Sequence, residues 1–456
     1  MGNGKAAIGG EFYKRMFRLS LPIVIQNLLS AAVSSADVVM LNYVGQSSIS
    51  AVSLASQYAS VLFMVFYGLG TGAIMLCAQY YGKGDLQAIE AVEGIALRFS
   101  LVLSVSFAAL TLAIPETMMH LFTNDPGLIE IGASYLRFIS FSYICWGISE
   151  VYLAVLRSVG RVVVSTVMNV LAFTLNVVLN GVFIFGLLGA PKLGAAGVAL
   201  ATSISRAVEL AACFVVSAKS KDVKLNFRAM FVRNKALFSD FLRLSIPALG
   251  NDIVWGVAFS MYSVIMGHLG TDAVAANSFV VVVRNFGTIL CFGMANAGGI
   301  LLGNVIGEGK METARLYTKG LMKLTVLTGA FGGLMILSSS PLVLKYADLS
   351  PQAMKYLKYM LYINTYYVMG MAVNTTLIVG AFRAGGDSRF GFLCDCIAMW
   401  CYAVPLGFLA AFVFKLPVMA VYFLLCTDEF VKWPFVIKHY RNGNWLTNIT
   451  RDDLFS

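Results

Sequence analysis

The chain has 456 residues, of which 59% are hydrophobic and only 12% are charged, and its mean hydropathy is +0.78. A typical soluble domain is about 45–50% apolar and about 25% charged, so no soluble fold of this length has enough interior to bury these side chains. The composition therefore predicts a polytopic membrane protein. The net charge of +10 does not indicate nucleic-acid binding, because that function needs basic residues clustered on a soluble surface.

Twelve segments are long and apolar enough to cross a bilayer, which takes about 20 residues of helix. They are residues 16–42, 51–78, 93–115, 133–156, 162–188, 195–217, 240–268, 275–305, 320–343, 356–382, 390–413 and 417–440. With both termini inside, the cytoplasmic segments carry 26 of the 33 Lys and Arg residues and the outer segments carry six. Cytoplasmic loops are enriched in Lys and Arg, so we predict that both termini are cytoplasmic.

The second half of the sequence repeats the first at a nearly constant offset. The segment FRLSLP at residues 17–22 returns as LRLSIP at residues 242–247, and four glycines of the first half recur at the same offset. Each half has six spans, so the halves enter the membrane from the same face and form parallel repeats. We predict an all-α protein with twelve transmembrane helices in two six-helix lobes, residues 1–217 and 240–456, around a central cleft. A basic cytoplasmic linker, residues 218–239, joins the lobes as an interfacial helix or as a solvated connection.

The first helix of each half carries a proline, Pro22 or Pro247, near its inner end. A proline inside a helix removes a backbone hydrogen bond and kinks or weakens the helix. Each proline is therefore a static kink or a hinge. A two-lobed bundle with a cleft suits a secondary transporter, which works by alternating access.

A cluster of polar residues is expected in the outer half of the first lobe. Asp37 lies about 7–8 Å below the outer end of span 1, at 1.5 Å per helical residue, and an ionisable residue inside a span is a functional candidate. Asn176 and Asn180 share one face of span 5, and Thr202 lies at a similar depth in span 6. One carboxylate, two amides and a hydroxyl suit Na⁺, or the buried carboxylate takes a proton. The alternative is that these groups only connect helices.

Other intramembrane polar residues are candidates for the substrate path. They are Gln26 in span 1, Asn251 and Asp252 in span 7, and Arg284 in span 8. Asp428 and Glu429 lie near the inner end of span 12, and we expect them at the membrane interface. Asp395 also lies within reach of an inner end, but we expect a structural role for it.

These residues resemble those of the multidrug and toxic compound extrusion (MATE) transporters, over essentially the whole chain. The residues that carry the resemblance are Leu21, Pro22 and Asp37 in span 1, Gly82, Gly84 and Asp85 after span 2, Leu156, Arg157 and Gly160 after span 4, Asn176, Asn180 and Ile184–Gly186 in span 5, and Phe382–Asp387 after span 10. The resemblance implies cation-coupled efflux of amphipathic, often cationic, organic compounds. It also implies that Asp37, Asn176, Asn180 and Thr202 match the family's cation site.

Two positions depart from the family pattern. Asn180 stands where the family often has aspartate, so the site holds one carboxylate and the resemblance leaves the choice between Na⁺ and H⁺ open. Trp255 stands where one branch of the family has a glutamate in span 7, so a cation site of that type is not expected in the second lobe. Trp255 either stacks on a cationic aromatic substrate or packs in the core.

Three other functions compete with drug export. A flippase for a lipid-linked precursor needs several basic residues deep in the cleft, where the sequence offers only Arg284. A membrane transferase needs paired carboxylates for Mg²⁺ or a large extramembrane domain, and neither is evident, so we expect no enzyme activity. A channel would leave Asp37 without a role. We thus expect a monomeric exporter in a bacterial plasma membrane, with small organic substrates, no cofactor, and Na⁺ or H⁺ as the coupling ion.

Overall fold

The computed structural model describes residues 3–220, 222–347, 349–452 and 454, without the side chains of residues 3–8, 38 and 42. This part of the chain is helical and contains no β-strand. Eleven of its helices are long and apolar enough to cross a membrane. The all-α, many-span architecture expected from the composition is confirmed.

The first seven helices are α1 (Asn3–Asn42), α2 (Gln46–Lys83), α3 (Leu86–Ala113), α4 (Pro115–His120), α5 (Pro126–Ser158), α6 (Val162–Phe185) and α7 (Ala195–Lys219). They are followed by α8 (Lys235–His268), α9 (Thr271–Gly307), α10 (Met311–Tyr346), α11 (Pro351–Thr375), α12 (Ser388–Asp395), α13 (Val404–Phe408), α14 (Val418–Leu425) and α15 (Asp428–Asn442). Wider π-helical turns extend α11 to Phe382 and connect α12 and α13 into one span that ends at Val413.

The twelfth predicted span, residues 417–440, is the one that is not a single long helix. It consists of α14, with eight residues, and α15, with fifteen, separated at Cys426 and Thr427. The break allows the first turn of α15 to place Asp428 and Glu429 in the protein interior, where they are 0% and 2% exposed. The expectation that these two residues lie at the membrane interface is wrong.

The short motifs between spans are helix caps. Gly84 ends α2 with a φ of 83°, a left-handed conformation that favours glycine. The side chain of the next residue, Asp85, accepts a hydrogen bond from the amide of Ala88 at 2.9 Å and so caps α3. Gly386 and Asp387 repeat the arrangement before α12. Glycine followed by aspartate thus turns the chain tightly at the end of a long helix.

The described helices form two compact units. The N-terminal unit comprises Ile25–Ser245 with Arg451–Ser456, and the C-terminal unit comprises Met1–Val24 with Ile246–Thr450. Helices α1 and α8 therefore each contribute one part to each unit. The boundary between the two units falls after Val24 in α1 and before Ile246 in α8, close to Pro22 and Pro247.

In the C-terminal unit, the first part of α1 packs against α9 and α10. The ring of Phe12 lies 5.0 Å from that of Tyr317, and a Cβ added to Gly320 would lie 2.7 Å from Phe12. A Cβ added to Gly293 would lie 2.4 Å from the side chain of Val24. Glycines on the neighbouring helices thus make room for this part of α1.

In the N-terminal unit, the first part of α8 packs against α2 and α3. Phe99 of α3 stacks on Phe238 and Phe241 with ring centroids 5.8 and 6.0 Å apart. A Cβ added to Gly72 of α2 would lie 1.8 Å from the hydroxyl of Ser245 and 2.8 Å from its Cβ. Gly72 thus lets α2 and α8 approach closely at Ser245.

The linker and the C-terminal residues also pack on the N-terminal unit. Between α7 and α8 the chain forms a single 3₁₀ turn, Phe227–Phe231, whose Ala229 is buried. The guanidinium of Arg451 donates to both carboxylate oxygens of Asp240, at 2.6 and 2.8 Å. Lys83 forms an ion pair with Asp452 at 2.7 Å, and its hydrogen bond and charge hold the pKa of that carboxyl below its ordinary value.

We expect Gly72→Val to destabilise the protein, because the added carbons overlap Ser245. Overpacking of this kind costs about 1–3 kcal/mol. The matched control is Gly181→Val, since no heavy atom lies within 4 Å of a Cβ added to Gly181. The measurement is the temperature at which purified protein loses its monodisperse peak in size-exclusion chromatography. Equal midpoints for the two variants would contradict the packing described here.

Candidate functional site

Four polar side chains from three helices meet in the N-terminal unit. Asn180 of α6 donates from Nδ2 to Oδ1 of Asp37 in α1 at 2.5 Å, and to Oδ1 of Asn176 at 3.3 Å. Asn176 donates to the hydroxyl of Thr202 in α7 at 3.0 Å, and that hydroxyl donates to the carbonyl of Val198 at 2.9 Å. The structure thus brings together the four residues that the sequence placed at one depth. We call them the Asp37 cluster.

The Asp37 cluster is buried on its asparagine side and contains a single ionisable group. Asn180 is 0% exposed and Asn176 is 7% exposed, while Asp37 and Thr202 are half-buried. Within the described residues, the Oδ1 atom of Asn180 is buried and has no hydrogen-bond partner. A buried oxygen without a partner is costly, and next to a carboxylate it is a ready ligand for a small cation.

The chemistry of the cluster fits a monovalent ion. Carboxylate, amide and hydroxyl oxygens are hard ligands that suit Na⁺, and a carboxylate held only by an amide donor is free to take a proton instead. Either ion therefore fits this donor set. The side chains that would bind the ion come from α1, α6 and α7. Ion binding therefore depends on the position of α1 relative to α6 and α7.

Asn251 and Asp252, predicted on the substrate path, belong to a hydrogen-bonded network in the C-terminal unit. Arg383 donates to Oδ1 of Asn251 at 3.0 Å and to Oδ1 of Asp252 at 2.8 Å. Asn251 in turn donates from Nδ2 to the carboxylate of Asp395. The side chain of Asp252 is 22% exposed and that of Arg383 is 3% exposed. Asp252 is therefore the member of this network that meets the surface.

The same network continues to buried charged residues of α12 and α15. Lys432 is 2% exposed, and its Nζ lies 2.8 Å from Asp395 and 2.9 Å from Glu429. Asp395 is 5% exposed, and this ion pair holds it inside the protein. Glu429 also accepts from Asn374 at 2.7 Å.

The spacing of Glu429 and Lys432, three residues apart on a helix, is a signal that sequence inspection could have used. It indicates an ion pair on one face of α15. The burial of that pair follows from the break before α15, which hydropathy does not reveal.

Trp255 and Arg284 meet at one aromatic group in the C-terminal unit. Trp255 packs edge-to-face on Phe259 with centroids 4.5 Å apart, and on Phe292 at 6.2 Å. The guanidinium of Arg284 lies over the ring of Phe259 at 4.5 Å from its centroid, and 6.0 Å from that of Tyr367. Arg284 is therefore held by cation–π contacts.

The remaining candidates lie on α1 and α8. Gln26 is half-buried, and its Oε1 atom has no hydrogen-bond partner within the described residues. Pro22 and Pro247 lie inside α1 and α8, and the helix continues past each of them. Helix α1 also carries Asp37, and α8 also carries Asn251 and Asp252.

Comparison with known proteins supplies the family. The MatE family model matches residues 22–182 and 247–409. The chain belongs to the MatE family. The two matched segments begin at Pro22 and Pro247, which are equivalent positions of the internal repeat.

Relatives of similar length agree with this assignment. An uncharacterized transporter of Bacillus subtilis, YisQ, is 25% identical over 94% of this chain and 94% of its own. A probable multidrug resistance protein NorM of Thermotoga maritima is 24% identical over 95% of this chain and 93% of its own. The protein is thus a multi-pass transporter of the MATE family, a family of transporters and not of enzymes.

Solved structures share the fold. An outward-facing multidrug resistance MATE transporter of the MOP superfamily has a TM-score of 0.85 at 19% identity, covering 95% of this chain and 96% of that one. A MOP superfamily transporter from Pyrococcus furiosus has a TM-score of 0.84 at 20% identity, covering 94% and 95%. The predicted arrangement of two six-helix repeats is confirmed by this likeness, with α14 and α15 together in the place of the twelfth span.

We expect Lys432→Met to destabilise the C-terminal unit severely, because it leaves the buried carboxylates of Asp395 and Glu429 without their shared cation. Removing one partner of a buried ion pair costs about 3–5 kcal/mol. The matched control is Arg137→Met, whose ion pair with Glu116 has side chains 52% and 60% exposed and is worth at most about 1 kcal/mol. The measurement is equilibrium unfolding in mixed micelles, and similar losses for both variants would contradict the assigned burial.

Proposed function

We propose that this transporter exports amphipathic, cationic organic compounds by alternating access, in exchange for Na⁺ or H⁺ bound at the Asp37 cluster. The observation that carries the proposal is the convergence of Asp37, Asn176, Asn180 and Thr202 on one buried site with a single carboxylate. The names of the relatives, which include probable multidrug resistance proteins, support the substrate class.

Coupling requires that ion and substrate favour different conformations. An ion shifts a conformational equilibrium only as far as its affinity differs between the two states. Asp37 lies on α1 and its partners on α6 and α7, so a change in the bend of α1 alters the distances within the site. Ion binding then favours the α1 conformation that keeps the four side chains together, and substrate binding favours the other.

The prolines are the proposed hinges for this change. Each of α1 and α8 passes from one unit to the other close to its proline. Because Pro22 and Pro247 cannot donate a hydrogen bond, their helices bend there at lower cost than elsewhere. This position of the prolines supports hinge motion over a static kink.

Substrate recognition is assigned to aromatic side chains of the C-terminal unit. Trp255 and Phe259 offer ring faces and edges to a flat organic cation, and Gln26, Asn251, Asp252 and Arg284 are the polar groups proposed along the path. The protein is proposed to act as a monomer in a bacterial plasma membrane with both termini cytoplasmic. The excess of Lys and Arg in the inner segments supports this orientation.

The test of function is ethidium efflux from energised cells, with the Na⁺ gradient and the pH gradient varied separately. We expect Asp37→Asn to lower efflux about tenfold or more at equal protein level, since couplings of about 1–3 kcal/mol correspond to 5–150-fold effects. Asp125→Asn is the matched control, because Asp125 is an exposed helix cap and asparagine caps equally well.

Each outcome of this experiment has one interpretation. Dependence on one gradient identifies the coupling ion. Efflux by Asp37→Asn at the wild-type rate would show that Asp37 is structural. If the wild-type protein moves no ethidium under either gradient, the proposed substrate class is wrong.

We expect Pro22→Ala and Pro247→Ala to slow export without preventing insertion, because alanine restores the helical hydrogen bond and stiffens the hinge. Pro126→Ala is the control, since Pro126 starts α5 and breaks no such bond. The measurement is the maximal efflux rate at saturating ethidium, with protein level determined in the same membranes. Unchanged maximal rates in both hinge variants would identify the prolines as static kinks.

A further inference from the structure

The C-terminal unit contains more buried negative than positive charge. This unit buries the carboxylates of Asp395, Asp428 and Glu429 and partly buries that of Asp252, but the described ion pairs among these acids involve only two cations, Arg383 and Lys432. Arg383 is paired with Asp252 at 2.8 Å, and Lys432 is shared by Asp395 and Glu429. Among the described residues, no cation is within ion-pair distance of Asp428.

Asp428 is the most buried of these acids and the least well partnered. It is 0% exposed, and its Oδ2 accepts a hydrogen bond from the hydroxyl of Tyr262 at 3.1 Å. Its Oδ1 atom is buried and has no hydrogen-bond partner in the described part of the chain. An ionised carboxylate in such a place is strongly disfavoured unless a proton or a cation joins it.

Further buried polar atoms without partners lie on the helix that packs against α15. In the described structure, the hydroxyl of Tyr367 and Oδ1 of Asn374 have no hydrogen-bond partner, and both residues are at most 2% exposed. They flank Gly370 on the same face of α11, and a Cβ added to Gly370 would lie 3.2 Å from Cβ of Glu429. Both α11 and α15 therefore carry buried polar atoms that have no hydrogen-bond partner among the described residues.

The internal repeat relates this place to the Asp37 cluster. Tyr262 follows Pro247 at the same spacing at which Asp37 follows Pro22. At the position where the first half of the chain carries its proposed coupling acid, the second half carries a tyrosine that donates to an acid of α15. At corresponding positions, α1 therefore carries an acid itself, whereas α8 carries a hydroxyl that donates a hydrogen bond to an acid of α15.

We propose that Asp428 is an exchangeable proton-binding site in the C-terminal unit, separate from the Asp37 cluster. Proton uptake converts the carboxylate to the neutral acid, and release returns it, with no other reactant. A divalent metal is not the favoured ligand, because no three His, Cys, Asp or Glu side chains of the described chain group as a metal site. This site would add a second ion-binding group to the proposed ion-coupled transporter. Proton binding at Asp428 does not itself depend on drug export.

Other titratable and charged groups surround this site. They are Glu429 and Lys432 on α15, Asp395 on α12, Tyr262 on α8, Tyr367 on α11, Tyr422 on α14 and Cys426 at the end of α14, with Arg284 of α9 over the ring of Tyr367. Asp395 and Glu429 share the ammonium group of Lys432, whereas Asp428 has no cation at ion-pair distance among the described residues, so the proton is assigned to Asp428. The partly exposed carboxylate of Asp252 is where the network meets the surface.

The test is infrared difference spectroscopy of the purified full-length protein in lipid vesicles, stepped through pH, which detects the carbonyl stretch of a protonated carboxylic acid. Wild type is expected to show a titrating band that Asp428→Asn removes and Asp37→Asn retains. Glu116→Gln is the matched control, because Glu116 is exposed and belongs to a surface ion pair. An unchanged band in Asp428→Asn would overturn the proposal.

A second variant keeps the test decisive if Asp428→Asn does not fold. Tyr262 donates to the carboxylate and so favours its ionised form, and Tyr262→Phe removes that donor. The midpoint of the band should move to higher pH by about one unit, the size expected for a hydrogen bond to a charged group. A midpoint that does not move would overturn the assignment. Because the assay needs neither substrate nor gradient, its failure is distinguishable from failure of the proposed export function.

Discussion

An ionised side chain surrounded by apolar helices must find an opposite charge, hydrogen-bond donors or a proton, because its hydration is lost. The two units of this protein meet this requirement differently. Asp37 is held by the amide of Asn180 without a neighbouring Lys or Arg among the described residues, whereas Asp395 and Glu429 share the ammonium group of Lys432. An acid stabilised only by a neutral donor retains affinity for a cation, and an acid already paired with lysine does not. This contrast explains why Asp37 is suited to reversible ion exchange and why Asp395 and Glu429 are suited to connecting helices.

The helices that carry these acids are positioned by residues far from them. Helix α1 packs on the C-terminal unit up to Val24 and belongs to the N-terminal unit from Ile25, and α8 shows the reverse change at Ser245 and Ile246. Small residues such as Gly72 and Gly293 let these helix parts approach their neighbours closely. Each of these helices therefore contributes residues to both units, with its proline close to the boundary.

Sequence alone predicts a structural feature correctly where one local property of the chain determines that feature. Hydropathy identifies the spans, the internal repeat predicts the two halves, and residue spacing with helix direction places Asp37, Asn176, Asn180 and Thr202 at one depth. Sequence alone does not predict features that depend on tertiary packing. The break at Cys426 and Thr427 lies in an apolar segment of ordinary hydropathy, and without it Asp428 and Glu429 read as interfacial residues. The spacing of Glu429 and Lys432 indicates their ion pair, but the sharing of Lys432 with Asp395 depends on how α15 packs against α12, and no pattern within one helix encodes that packing.

The position of Arg284 shows how the same constraint acts on a cation. A guanidinium at this depth needs compensation, and the ring of Phe259, 4.5 Å away, supplies it without a carboxylate. Phe259 also contacts Trp255, four residues earlier on α8, and Tyr262, three residues later. Arg284, the aromatic residues proposed for substrate and the hydroxyl that donates to Asp428 are therefore connected through one ring. If a flat organic cation stacks on Phe259, as proposed for the substrate, it competes with Arg284 for the face of that ring.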